Sequence, residues 1–132
     1  MAVTVVPFYA ALLAVLFIFL SLRVIRLRRR ERIAIGDGNN PRLRRAIRVH
    51  ANFAEYVPIA LTLTTLIELQ QFAPIVVHAL CLALFIGRVC HAYGVSQERE
   101  DYRFRVVGMT LTFATIGVSA LLLVGLFLRQ LS

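Results

Sequence analysis

Arg45, Arg48, Asn52, Glu55 and Tyr56 place two cations, an amide, a carboxylate and a phenol in one short stretch of a 132-residue chain. On a helix turning about 100° per residue, these five side chains share a sector about 100° wide. Val49, Phe53 and Val57 fall on the opposite side, with Ala54 nearby. The guanidinium fork matches a carboxylate bidentately. Such a stripe can therefore grip an anionic or zwitterionic ligand. It can also be a buried ion-pair network, in which Arg45 or Arg48 neutralises Glu55. A charged side chain at membrane depth must face a protein interior or a watery cavity, so Glu55 needs a partner in either case. Pro58 lacks a backbone N–H and should kink the helix at this level.

A second group of polar residues lies further along the chain. Arg88, His91 and Tyr93 end a later apolar run, and Arg88 and His91, three apart, share a helix face. Beyond them stand Arg103 and Arg105, with Glu100 and Asp101 placed to suit a helix N-terminus. Arg105 directly precedes the last apolar run and is expected to be the less solvated of the two arginines. Arg45, Arg48, Asn52, Glu55, Arg88, Tyr93 and Arg105 can thus converge at one depth.

The elements that must hold these groups are membrane helices. The chain is 59% hydrophobic and 17% charged, against roughly 25% charged in soluble domains. All 15 basic residues are arginine, and the formal net charge is +8. A nucleic-acid surface does not fit, because the arginines lie between long apolar runs. Ala2–Leu22 and Val106–Leu128 are uncharged and reach the ~20 residues a spanning helix needs. The first is read as an anchor, since it has no basic leader and arginines follow it at once. Val49–Ile67 carries only Glu55, and Leu69–Gly87 carries no charge. The pattern predicts an all-α integral membrane four-helix bundle, one domain over 1–132, with helices at about 3–27, 42–69, 74–95 and 101–129. The cluster Gly36-Asp37-Gly38-Asn39-Asn40-Pro41 breaks the chain between the first two. Ten of the 15 arginines lie between Arg23 and Arg48, and four more flank the connection of the last two helices. An arginine excess marks cytoplasmic loops, so both longer connections are expected to be cytoplasmic and both termini non-cytoplasmic. Arg28, Arg29, Arg30 and Arg32 are expected to extend the first helix among anionic headgroups.

The stretch Arg-x-x-Arg-x-x-x-Asn-x-x-Glu-Tyr-x-Pro, here Arg45, Arg48, Asn52, Glu55, Tyr56 and Pro58, resembles the MAPEG family, membrane-associated proteins in eicosanoid and glutathione metabolism. Four spans within about 130 residues and an arginine heading the fourth helix fit the same resemblance. His50-Ala51-Asn52-Phe53-Ala54-Glu55-Tyr56 and Gly36-Asp37-Gly38 look like its bacterial branch, and so imply a bacterial inner membrane. The resemblance implies a homotrimer binding glutathione between subunits, and transferase or peroxidase chemistry on lipophilic electrophiles or hydroperoxides. It implies Arg48, Asn52, Glu55 and Tyr56 as glutathione-binding, then Arg45, Arg88 and Tyr93, and Arg26 (or Arg23) from the first helix. It implies Arg105, or Arg103, as the cation that steadies the thiolate. The pair of tyrosines that leukotriene synthases carry on the third helix is missing: His91 or Val95 stands at one place and only Tyr93 is near. A non-catalytic relative that binds a lipid or another anionic ligand is the alternative.

The remaining reactive side chains are read as packing or solvated. Cys81 and Cys90 are nine apart, which is not metal-ligand spacing, and no metal is expected. His50 and His78 lie off the stripe, and Glu68 is expected to be solvated in a turn. A proton-coupled exporter would need a deep acidic residue; the first helix has none and Glu55 is shallow. Small residues stripe the third helix (Ala79, Ala83, Gly87) and the fourth (Gly108, Thr112, Thr115, Ser119), as close helix approach requires. Either stripe fits a contact within the subunit or between subunits.

Overall fold

The computed structural model describes residues 3–97 and 101–131. They form four helices: α1 (Val5–Glu31), α2 (Pro41–Leu69), α3 (Pro74–Ser96) and α4 (Tyr102–Leu131). The helices match the expected segments closely, except that α1 runs one turn further. Arg28, Arg29 and Arg30 occupy that last turn, where cations favour the negative end of the helix dipole. Arg32, at φ 55°, then closes the helix in the left-handed conformation. The Arg28 guanidinium turns back onto the connection and donates to the carbonyls of Ala34 and Gly36 at 3.2 and 2.8 Å. Gly36, Gly38 and Asn39 all take positive φ there, the conformation that glycine and asparagine tolerate best. Asn40 caps α2 by accepting the Leu43 N–H at 3.1 Å. Pro41 fills the first helical position, where a missing N–H costs nothing.

Three helices, α1, α3 and α4, are long and apolar enough to cross a membrane. The expectation of four such spans is therefore met by three. Arginines fill the first two turns of α2, and Asn52 and Glu55 interrupt the apolar stretch beyond them. That helix packs on all three others, and α1 and α4 each pack on α2 and on α3. Its apolar side is the predicted one, with Val49, Phe53 and Val57 buried among Leu13, Leu20 and Leu84. A second apolar cluster at the other end joins Val5, Val6, Tyr9, Ile67, Val77 and Cys81.

The small residues of α4 serve the subunit's own interior. Gly108, Thr112, Thr115 and Ser119 are its buried positions, and they face α3. A Cβ built on Gly108 would lie 2.6 Å from the Gly87 carbonyl oxygen and 2.7 Å from the His91 nitrogen. The two backbones touch, which is the close approach that small residues permit. On α3 only Gly87 of the expected stripe is buried; Ala79 is exposed and Ala83 half-buried.

Glu68 departs from expectation. It is not a free solvated side chain: its carboxylate accepts the backbone N–H groups of Thr4, Val5 and Val6 at 2.7, 2.6 and 2.9 Å. The residue stands just beyond the apolar stretch Val49–Ile67, at the end of α2, and caps the start of α1. It satisfies amides that have no partner within their own helix. Partial burial pushes this carboxyl's pKa up, but the three amide bonds outweigh it and hold the group below its ordinary value.

Candidate functional site

The arginine-rich ends of α2, α3 and α4 enclose a cavity of about 310 Å³. Arg44, Arg45, Arg48 and Asn52 reach it from α2, His91 and Val95 from α3, and Arg105 from α4. Pro41 closes its rim. The described lining holds four arginines and no acidic side chain, so the cavity favours an anion.

Each lining group has a local cause. The cap at Asn40 starts α2 one residue before Pro41 and fixes the register of the stripe. Arg45 donates to the Val95 carbonyl at 3.4 Å, tying α2 to the end of α3. Arg44 is paired with Asp37 of the preceding loop. The hydrogen bond from Arg44 holds the Asp37 carboxyl below its ordinary pKa. Asp101 accepts the Arg103 N–H at 2.9 Å at the head of α4, and Arg105 lies on the turn beyond it.

Arg88 lies behind the cavity, not in it. Its side chain is 1% exposed. One terminal nitrogen donates to the Asn52 Oδ1 at 2.8 Å and the other contacts the Met109 sulfur at 3.5 Å. Its Nε is buried without a hydrogen-bond partner, and no carboxylate among the described residues pairs with it. Because Arg88 occupies the amide oxygen, the Asn52 amino group is left to donate. Arg88 thus sets which end of Asn52 is left to the cavity.

The other expected site residues are dispersed. Glu55 is exposed on the outer surface of α2, one turn beyond Asn52. Among the described residues no ion pair joins it to Arg45 or Arg48, so the internal pairing expected for it is absent. Arg48 is exposed and lines the cavity. Tyr56 packs edge-on against Phe113 of α4, with ring centres 5.4 Å apart. Tyr93 turns away and packs edge-on against Phe104 at 5.1 Å. Arg26 and Arg23 line a different groove, across Arg45 from the cavity. Arg103 is not part of the cavity lining, whereas Arg105 is.

Sequence reasoning did not place His91 or Val95 in the site. The spacing of Arg88 and His91 was the available signal, since both lie on the buried face of α3 (1% and 5% exposed). His50 and His78 are engaged elsewhere. The first meets the Ser21 hydroxyl at 3.0 Å and stacks on Phe17; the second meets the Tyr9 hydroxyl at 3.3 Å.

Helices of this length and apolarity, closing over arginines at one end, define a helical membrane protein with an anion-receptive cavity. Residues 6–125 match the MAPEG family, and the chain belongs to it. It is 38% identical over 108 residues to the inner membrane protein YecN of Escherichia coli K12, and equally so to YecN of E. coli O6:H1. Each alignment covers 82% of this chain and 81% of the relative.

Proposed function

We propose that this chain is an inner-membrane glutathione-dependent transferase or peroxidase that works as a homotrimer. The observation that carries the reading is the meeting of Arg45, Arg48, Asn52 and Arg105 on one cavity. Arg45 and Arg48 suit the two carboxylates of glutathione, and Asn52 offers an amino group as donor. Arg105, on the α4 wall of the cavity, is the cation for the sulfur. An ordinary thiol has a pKa of about 8.5, and a guanidinium held beside it in a partly dry site favours the thiolate.

The thiolate attacks an electrophilic carbon, forming the C–S bond while the leaving group departs with its electron pair. With a hydroperoxide, sulfur takes the outer oxygen and releases an alcohol. A second glutathione then yields the disulfide and water. The lipophilic substrate enters from the bilayer.

The trimer explains Glu55. A carboxylate exposed at the membrane boundary is costly, and a neighbouring copy laid over this face of α2 covers it and completes the site. In the membrane α2 is the fourth span, shielded by α1, α3, α4 and the neighbour. The arginine-rich end is cytoplasmic by the positive-inside rule, which leaves both termini on the other side.

The test is a titration of purified protein with glutathione, read by calorimetry and by thiolate ultraviolet absorbance. Saturable binding with a thiolate signal is expected. Absence of both overturns the reading. Binding of another anion without glutathione binding, or of glutathione without thiolate, favours the non-catalytic alternative; the lack of a tyrosine pair on α3, where His91 or Val95 stands at one place, supports it.

A further inference from the structure

A groove of about 380 Å³ lies between the arginine-rich ends of α1, α2 and α3. It is separate from the cavity that Arg105 lines and meets it only at Arg45. Phe19, Arg23, Arg26 and Leu27 form its α1 wall. Their spacing of four, three and one residues puts them on one helix face. Arg42 and Arg45 face them from the first turns of α2, and the described lining has no acidic side chain. Arg23 donates to the Ser96 hydroxyl at the end of α3, which fixes the guanidinium across the groove. Arg26 is exposed.

The groove continues downward. A second, apolar channel of about 310 Å³ shares Phe19, Arg23 and Ser96 with it. That channel runs between α1 and α3, past Leu16, Leu20 and Tyr93. The depth is set by the sequence. Leu22 ends the uncharged run of α1, so Arg23 and Arg26 sit where hydrocarbon gives way to headgroups. A cationic clamp at headgroup level, opening into an apolar channel parallel to the helices, has the shape and charge of one lipid.

We propose that this groove binds an anionic phospholipid, with its phosphate at Arg23 and Arg26 and an acyl chain in the channel between α1 and α3. The apolar channel favours a lipid over a soluble phosphate, which would use the arginines alone. The site assigns a role to Arg23, Arg26 and Tyr93 that is independent of glutathione.

The experiment is native mass spectrometry of the full-length protein from detergent micelles doped with phosphatidylglycerol or phosphatidylcholine. Retention of phosphatidylglycerol in preference to phosphatidylcholine is expected. Arg26→Gln and Arg23→Gln are each expected to weaken retention about fivefold, the effect of one arginine near an anionic surface. Arg29→Gln, on the exposed side of the same helix, is the control and should leave it unchanged. Helix content by circular dichroism checks that each variant is folded. Equal retention of the two lipids, an equal loss in Arg29→Gln, or displacement of the lipid by millimolar inorganic phosphate would overturn the proposal.

Discussion

Arg88 holds the Asn52 carboxamide by its oxygen at 2.8 Å, and so a buried cation on α3 decides what α2 presents to the cavity. Asn52→Asp replaces the amino donor with a second acceptor and gives Arg88 a counter-charge. The expected outcome is a raised thermal midpoint in detergent together with loss of glutathione binding, since the carboxylate repels the ligand. Arg88→Met removes the hold on the amide. Calorimetry should record binding weaker by about 1–3 kcal/mol, the cost of an unmet buried polar group, with helix content unchanged.

Arg105 and Arg103 differ in where they point. Arg105→Ala is expected to abolish the thiolate absorbance at neutral pH while glutathione still binds through α2. Arg103→Ala should keep the signal. Ultraviolet difference spectra across a pH range of roughly 6 to 9 distinguish them: the midpoint of thiolate formation returns toward about 8.5 only in the first variant.

Of the glycines in the α3–α4 seam, Gly108 leaves the least room for a side chain. Gly108→Ala places a methyl against the Gly87 oxygen and the His91 backbone, and rigid backbone cannot move aside as a flexible side chain can. The expected loss is about 1–3 kcal/mol, read as a lower unfolding midpoint. Gly117 has open space within 4 Å of an added Cβ, so Gly117→Ala should be neutral or gain up to about 1 kcal/mol from helix propensity.

The Glu68 carboxylate contributes stability only while ionised. Its folded pKa lies below the unfolded value, so the contribution is complete above the unfolded carboxylate range, near about 4.3. It is lost as pH falls through the lower, folded value. Glu68→Gln should cost about 1 kcal/mol, as loss of a helix N-cap does. It should also blunt the acid limb of the stability profile. Hydrogen exchange at Thr4, Val5 and Val6 should rise in this variant first.

Helix limits were legible because Pro41, Pro74 and the glycine-rich loop punctuate long apolar runs. The polar stripe of α2 was legible from spacing, and Val49, Phe53 and Val57 are buried opposite it. Spacing did not reveal that Glu55 pairs with neither Arg45 nor Arg48 among the described residues, because periodicity gives a direction from the helix axis and not the neighbour found there. Tyr93 illustrates the same limit. It lies two residues after the inward-facing His91, and two residues turn a helix by about 200°, which takes Tyr93 off the cavity face, to the channel beside α1 and the Phe104 ring at the head of α4. Glu68 was misjudged because its partners, the amides of Thr4 to Val6, lie 62 to 64 residues away, beyond any local pattern.

That separation also imposes an order on assembly. The chain emerges from its amino end, so the first amides of α1 are made long before the carboxylate that receives them. Until Glu68 is made and brought beside residues 4 to 6, those amides lack this acceptor. Formation of the α1–α2 hairpin supplies it. The clamp therefore acts as a latch between the two helices, closed only once the second is complete.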